Sequence, residues 1–169
     1  MNNTVLELDK KRYPGGGVPD FQIWYRRAQY YKNPLIRKLC RGMYNRYRGK
    51  RHIEIDAQTQ IGEGLYFGHA YCITINPEAV LGKNINLHKG VTIGQENRGK
   101  RMGTPVIGDK VWVGVNATVV GAIKIGNDVL IAPNAYVNCD VPDHSIVFGN
   151  PCIIKHRDNA TEGYINRTI

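Results

Sequence analysis

Hydrophobic residues recur at every sixth position through most of the chain, and this spacing predicts its fold. Thirteen aliphatic or aromatic residues keep the register: Ile55, Ile61, Phe67 and Ile73; after a slip of two residues, Leu81, Leu87 and Ile93; after an insertion, Ile107, Val113, Val119, Ile125, Ile131 and Val137. An amphipathic helix has a period of about 3.6 residues and an alternating strand a period of about 2, so neither fits. A period of six indicates a short flat strand and a corner. Three such faces close a coil of about eighteen residues, so we expect stacked coils in a parallel β-helix.

The same pattern divides the chain into three parts. Residues 1–52 are predicted to be a lead-in with two short basic helices, residues 53–148 the β-helix, and residues 149–169 a C-terminal tail. The period breaks for long only at residues 95–106, which we expect to leave the scaffold as a loop. Prolines and glycines should keep the chain loose up to about residue 20, namely Pro14, Gly15, Gly16, Gly17 and Pro19. Asp20 and then Asn33-Pro34 open the two helices, and the second carries an apolar stripe of Leu35, Leu39 and Met43.

Composition narrows the class of protein. A chain of 169 residues that is 42% hydrophobic fits one domain with a modest appendage. No stretch approaches the roughly eighteen apolar residues that cross a membrane, and the first residues lack an apolar signal core. We therefore expect a cytoplasmic protein. Its four cysteines, Cys40, Cys72, Cys139 and Cys152, are scattered without a CxxC pair, which predicts reduced thiols rather than a disulfide framework or a zinc site.

The positive charge is concentrated in one segment. Residues 26–51 contain ten basic residues and no acidic one, so the net charge of +9 leaves −1 for the rest of the chain. Aromatic residues are interleaved with this charge, a mixture that favours contact with an anionic membrane at its inner face. The alternative is a solvated basic face on helices that cap the β-helix. No nucleic-acid-binding module is visible, so we expect no nucleic-acid partner.

Several stretches resemble the hexapeptide-repeat acyltransferases, and over about residues 38–155 they resemble the catalytic domain of serine acetyltransferase. These stretches are IEIDAQTQIGEGLYFGHA, VTIG, PVIGDKVWVGVNATVVG and VPDHSIVFGNPCIIK. The resemblance implies a left-handed β-helix, a homotrimer, and acetyl-CoA bound as co-substrate in the groove between neighbouring subunits.

The resemblance also implies a catalytic pair. By position, His69 is the general base, and Glu54, fifteen residues earlier, is the acid that orients it. The family has aspartate at the position of Glu54. A histidine, with a pKa of about 6.5, suits proton transfer from an alcohol near neutral pH. A carboxylate on the far ring nitrogen would fix its tautomer. His88 lies one coil beyond His69 and is a candidate for a second histidine in the substrate site, or for a structural role.

Contacts to acetyl-CoA are carried over in the same way, to Gln95, Gly114, Val115, Asn116 and Pro133, with Gly149, Pro151 and Lys155 toward the nucleotide. Carbonic anhydrases with this fold bind zinc through three histidines, two of them spaced HxxxxH. The chain lacks such a pair, so we expect no metal.

The acceptor half of the site departs from the family pattern. Gly68, Gly103 and Thr104 stand where serine acetyltransferases carry charged residues that bind serine. A buried carboxylate without a partner is costly. We therefore expect a hydroxyl of a sugar or a surface-polysaccharide intermediate as the acceptor, with serine as the alternative. Ile169 favours serine, because serine acetyltransferases often place a terminal isoleucine in the active site of their sulfhydrylase partner.

Overall fold

Three helices precede the β-helix in the computed structural model, which describes residues 4–15 and 17–169. They are α1 (Thr4–Lys11), α2 (Asp20–Tyr30) and α3 (Pro34–Gly49). The two helices predicted after Asp20 are therefore present. The prediction of a loose chain before Asp20 is wrong for α1, because Leu6 and Asp9 are buried there and the helix breakers begin only at Pro14. Gly16, one of those breakers, lies outside the described residues.

The apolar stripe of α3 faces solvent. Leu35 is 77% exposed and Leu39 is 65% exposed, whereas Cys40 and Tyr44 form the buried side of the helix. Asn33 caps the helix, since its side chain accepts hydrogen bonds from the backbone of Leu35 and Ile36. Basic residues flank the exposed leucines, an arrangement compatible with membrane contact. Membrane contact by this segment stays a prediction. In the part of the chain that the structure describes, no helix is long and apolar enough to span a membrane.

Short strands make up the rest of the chain. They are β1 (Glu54–Ile55), β2 (Gln60–Ile61), β3 (Tyr66–Gly68), β4 (Thr74–Ile75), β5 (Val80–Leu81), β6 (Asn86–His88), β7 (Thr92–Gly94), β8 (Val106–Ile107), β9 (Val111–Val113), β10 (Thr118–Val120), β11 (Lys124–Ile125), β12 (Val129–Ile131), β13 (Tyr136–Val137), β14 (Ser145–Phe148) and β15 (Ile153–His156). The loop after β7 contains a short 3₁₀ helix, Gly99–Arg101.

These strands form three parallel sheets around one core, which confirms the predicted left-handed β-helix. The first sheet has the order β1-β4-β7-β10-β13, the second β11-β8-β5-β2, and the third β15-β14-β12-β9-β6-β3. Each strand from β1 to β14 points an apolar side chain inward, as Ile55, Ile61 and Phe67 do in the first coil. The last strand, β15, runs antiparallel as a hairpin partner of β14. The six-residue period is thus the repeat of one strand and one corner.

The slip of two residues lies earlier than the sequence suggests. Glu54 pairs with Thr74 and Tyr66 with Asn86, an offset of 20, whereas Thr74 pairs with Thr92, an offset of 18. The two extra residues therefore lie in the corner between β3 and β4, before Ile73. Ile75 rather than Ile73 takes the inward strand position beside Ile55. Ile73 is also fully buried, so hydrophobicity alone could not distinguish the two.

Two of the corners between the sheets of the β-helix contain many of the candidate site residues. The histidine corner joins the third sheet to the first and comprises residues 69–72, 89–91, 114–117 and 132–135. The loop corner joins the first sheet to the second and comprises residues 56–59, 76–79, 95–105, 121–123 and 138–140. The first sheet separates the two corners.

A buried polar network holds α1 and α2 against the first coil. The Asp9 and Arg26 side chains are completely buried, with Arg26 Nε 2.8 Å from Asp9 Oδ2. Arg26 also donates to the carbonyl oxygens of Ile61 and Gly62, at 2.7 and 2.6 Å. Asp9 in turn accepts from the backbone N–H of Leu65. Arg26 therefore does not belong to the exposed basic face that the sequence predicts.

The C-terminal tail packs against the β-helix. Asp128 accepts hydrogen bonds from the backbone of Ala160 and Thr161, from the Thr161 hydroxyl and from His144. Burial raises the pKa of Asp128, but these hydrogen bonds outweigh it and lower the pKa from 3.8 to about 2. Further along, Asn84 exchanges two hydrogen bonds with the backbone of Ile169. The tail therefore follows the corner between the second and third sheets.

Candidate active site

His69 lies in the two-residue insertion at the histidine corner. It follows β3 directly, has a left-handed backbone with φ 58°, and is exposed. A side chain in an insertion is free of the repeat that governs the other coils, so it can project from the scaffold. The histidine is therefore accessible to a substrate at the corner, as a general base must be.

Glu54 lies on the exposed face of β1, next to β4 in the first sheet. Its Oε2 accepts a long hydrogen bond, 3.4 Å, from Thr74 Oγ1. Within the described residues no hydrogen bond joins Glu54 to His69. Both side chains are exposed, and the predicted contact between Glu54 and His69 is not formed in this structure.

His88 packs directly against Gly68. The two residues are partners in the register of β3 and β6, and a Cβ placed on Gly68 would lie 2.4 Å from His88 Cε1. Position 68 is thus glycine because the imidazole of the next coil occupies the space of a side chain. A side chain such as that of aspartate at position 68 would displace His88. Gly68 and His88 therefore depend on each other.

His88 is held in a mainly apolar setting. Its ring contacts Trp112 with 4.6 Å between ring centroids, and the Trp112 ring also contacts Tyr164. Its Nε2 atom is buried and has no hydrogen-bond partner among the described residues. Burial lowers the pKa of His88, and the nearby His69 lowers it further. The lowered pKa is expected to keep His88 neutral near pH 7.

The predicted contacts to acetyl-CoA lie in three places: the histidine corner, the loop corner and the β14–β15 hairpin. Gly114, Val115, Asn116 and Pro133 lie in successive coils of the histidine corner, on the same edge as His69. Backbone hydrogen bonds connect these coils, from Asn116 N to Lys89 O and from Asn134 N to Val115 O. At about 4.8 Å per coil this edge makes a line parallel to the axis, which suits an extended ligand. At Gly114 a Cβ would lie 2.6 Å from Pro133 N, so only glycine fits there.

Gln95, Gly103 and Thr104 lie instead at the loop corner. Asn76 donates to the Gln95 side chain at 3.0 Å, and the backbones of Glu96 and Gly103 form an antiparallel bridge that closes the loop. Gly103, with φ 131°, approaches Ala122 closely. The structure therefore separates these three residues from His69 by the width of the first sheet.

The remaining three candidates lie on the β14–β15 hairpin. Gly149 accepts a hydrogen bond from Tyr136 N at 3.0 Å, so the hairpin turn covers the end of the first sheet. Pro151 is exposed in that turn. Lys155 Nζ lies 5.8 Å from the centre of the Phe148 ring.

Two cations beside His69 escape the sequence analysis. Arg51 Nη1 donates to the carbonyl oxygen of Ala70 at 3.5 Å, and Lys89 follows His88 at the same corner. Both are exposed. In the sequence the basic run resembles one continuous surface. Only the strand pairing in the structure, with its offset of 20 between the first two coils, places Arg51 beside residue 71. Among the described residues, no group of three or more His, Cys, Asp or Glu side chains is arranged to hold a metal ion.

Comparison with known proteins supports the assignment of the fold as a hexapeptide-repeat β-helix. Residues 104–139 match the family model "Bacterial transferase hexapeptide (six repeats)". A serine acetyltransferase of Helicobacter pylori is 37% identical over 98 residues, which are 58% of this chain and 57% of the relative. That of Staphylococcus aureus is 37% identical over 113 residues, 66% of this chain and 52% of the relative.

The chain resembles the serine acetyltransferases. It spans about half the length of the curated relatives that it matches. The soybean serine acetyltransferase apoenzyme superposes with a TM-score of 0.68 at 30% identity, covering 80% of this chain and 56% of that one. The Brucella abortus enzyme has a TM-score of 0.77 at 24% identity, covering 94% and 70%, and shows the shared fold alone.

These findings correct the expected acceptor. The preference for a sugar hydroxyl rests on the lack of charge at Gly68, Gly103 and Thr104, but the two curated relatives and the soybean structure are serine acetyltransferases. The preference for a sugar is therefore wrong. Its physical premise is incomplete, because it treats three positions as the only sources of charge and overlooks Arg51 and Lys89.

Proposed function

We propose that the protein is an acetyl-CoA-dependent acetyltransferase with the hydroxyl of L-serine as acceptor. The main observation is that an exposed histidine lies in the insertion at one corner of a β-helix similar to that of the serine acetyltransferases. The line of candidate cofactor contacts from Gly114 to Pro133 runs along the same corner, which supports an acetyl donor reaching His69.

In the proposed reaction His69 accepts one proton and then donates it. As the serine hydroxyl oxygen attacks the thioester carbonyl carbon, His69 accepts the hydroxyl proton. When the carbon–sulfur bond breaks, the same proton passes to the leaving thiolate, which gives O-acetylserine and free thiol. Acetyl-CoA supplies the activated acyl group. Glu54, after a change of side-chain rotamer, would orient His69 and stabilise its charged form.

Arg51 and Lys89 are the proposed partners for the serine carboxylate. Each carries a positive charge at the histidine corner, and Arg51 already reaches the backbone of Ala70, the residue after His69. A charge-assisted contact at this edge would replace the charged groups that are absent at Gly68, Gly103 and Thr104. Neutral His88 beneath Gly68 adds no positive charge that would oppose protonation of His69.

The first experiment is a thiol-release assay with acetyl-CoA and serine. We expect saturable turnover of serine, with O-acetylserine identified by mass spectrometry, and much slower release with D-serine or with neutral sugars. Homoserine, which retains the carboxylate and ammonium but moves the hydroxyl by one methylene, is the matched control and should be poorer. A rate that is the same with and without serine would contradict the proposal.

We also infer a homotrimer. Candidate contacts lie at the histidine corner and the loop corner, and the first sheet separates them within one chain. If the histidine corner of one subunit meets the loop corner of the next, Gln95 and Thr104 come beside His69. Analytical ultracentrifugation should give three times the chain mass at assay concentrations. A fully active monomer would exclude a shared site.

A further inference from the structure

Two of the four free cysteines meet in the folded chain. Cys139 Sγ and Cys152 Sγ are 3.6 Å apart and half-buried, although thirteen residues separate them in sequence. Cys40 is buried and Cys72 is exposed, each without such a neighbour among the described residues. The sequence analysis predicts reduced thiols but does not predict that two of them lie side by side. The sequence could not show it, because only the hairpin after β14 brings Cys152 back over the last coil.

The pair joins two different elements. Cys139 lies at the loop corner after β13, and Cys152 ends the turn between β14 and β15. Tyr136 N binds Gly149 O, which holds this turn over the end of the first sheet. The two sulfur atoms need to approach by about 1.5 Å to reach a disulfide length of about 2.05 Å. A side-chain rotation combined with a small shift of an exposed turn can provide that movement.

We propose that Cys139 and Cys152 form a redox-active dithiol that a hydroperoxide oxidises to an intramolecular disulfide. One thiolate attacks the terminal peroxide oxygen, the O–O bond breaks, and an alcohol (water, for hydrogen peroxide) leaves with a sulfenic acid on the cysteine. The second thiolate then attacks that sulfur and displaces water. Two electrons pass from the two thiols to the peroxide, and the protons end in the alcohol and the water.

The surroundings assign an order to the two cysteines. Burial raises the pKa of Cys139, and the Cys152 thiol beside it raises the pKa further. Asp140 acts in the same direction, and Arg101 in the loop after β7 opposes it. The raised pKa disfavours the Cys139 thiolate, and Cys152 directly follows the exposed turn residues Gly149 and Pro151, so we assign the first attack to Cys152 and the resolution of the sulfenic acid to Cys139. Closure should accelerate as the pH rises toward 9, because more Cys139 becomes thiolate.

The bond would fix the hairpin turn to the last coil. That turn carries Gly149 and Pro151, so the reversible link acts on a segment that otherwise rests on backbone hydrogen bonds and packing. Closing a loop of this size is expected to raise the midpoint of thermal unfolding by about 5 °C or more. The effect should disappear on reduction.

The test uses the full chain with Cys72→Ser, which removes the exposed thiol. After exposure to hydrogen peroxide and denaturation, the thiol count should fall from three to one, and peptide mapping should find Cys139 joined to Cys152 with the loss of about 2 Da. Dithiothreitol should restore all three thiols. In the added Cys139→Ser variant, a dimedone adduct should accumulate on Cys152, and the matched Cys152→Ser variant should label far less.

Three results would overturn the proposal. They are survival of both thiols at peroxide levels that oxidise free cysteine, separate over-oxidation of each, and disulfides only between molecules. Equal dimedone labelling of the Cys139→Ser and Cys152→Ser variants would contradict the assigned order.

Discussion

Replacing His69 with alanine is expected to lower the turnover number about 10²-fold or more, because the hydroxyl then loses the group proposed to accept its proton. His69 is exposed and lies in an insertion of the corner, so the substitution leaves the core intact. The KM for acetyl-CoA should change little. The measurement is steady-state kinetics with serine on protein whose oligomeric state and unfolding midpoint match those of the unmodified chain. Near-normal turnover in a folded His69→Ala variant would remove this histidine from the mechanism.

Arg51→Ala is the informative companion to that experiment. A cation that binds the serine carboxylate before the reaction should, when removed, raise the KM for serine by about tenfold or more while the turnover number stays similar. Lys83→Ala is the matched control, because Lys83 is equally cationic but binds Glu63 at the corner between the second and third sheets. If Arg51→Ala and Lys83→Ala behave alike, the carboxylate is bound elsewhere.

The Glu54→Gln variant tests whether Glu54 orients His69 or only binds Thr74. The amide retains the size of the side chain and its hydrogen bond to Thr74, but it cannot stabilise a charged imidazole. If Glu54 turns to His69 during catalysis, the turnover number should fall and its pH profile should shift. A variant with unchanged pH profile would show that Glu54 only binds Thr74.

The sequence predicts the β-helix well because its repeat is local and strict. Every coil requires an inward residue at each face, so positions such as Leu87, Val113 and Ile131 stand out as a period in the sequence alone. The slip is harder to predict. Ile73 and Ile75 are both buried, and only the pairing of β1 with β4 shows which residue lies in the strand.

The sequence predicts the site only where the site follows the repeat. His69, Gly114 and Pro133 fall on one edge because corners recur with the coils. Arg51 and the Cys139–Cys152 pair escape prediction, because each depends on an element that lies outside the periodic part or returns over it. Charge beside a substrate and distance between thiols are properties of the folded chain, and no spacing in the sequence gives them directly.

Removing the buried carboxylate at Asp9 is expected to have the largest effect on stability. Asp9→Ala leaves Arg26 charged and completely buried without its carboxylate partner, and also leaves the Leu65 N–H without its acceptor. Breaking one partner of a buried ion pair costs about 3–5 kcal/mol of unfolding free energy. Glu7→Ala is the matched control, since the Glu7–Lys10 pair is exposed and is worth at most about 1 kcal/mol.

Denaturant unfolding at fixed protein concentration would measure both variants, because an oligomer's stability depends on concentration. Arg26→Met in the Asp9→Ala background removes the stranded charge and should recover part of the loss, although the carbonyl oxygens of Ile61 and Gly62 then lose their donor. Recovery would show that the cost lies in the unpaired charge rather than in the packing of α1. A loss for Asp9→Ala no larger than that of Glu7→Ala would mean that α1 and α2 contribute little to the stability of the β-helix.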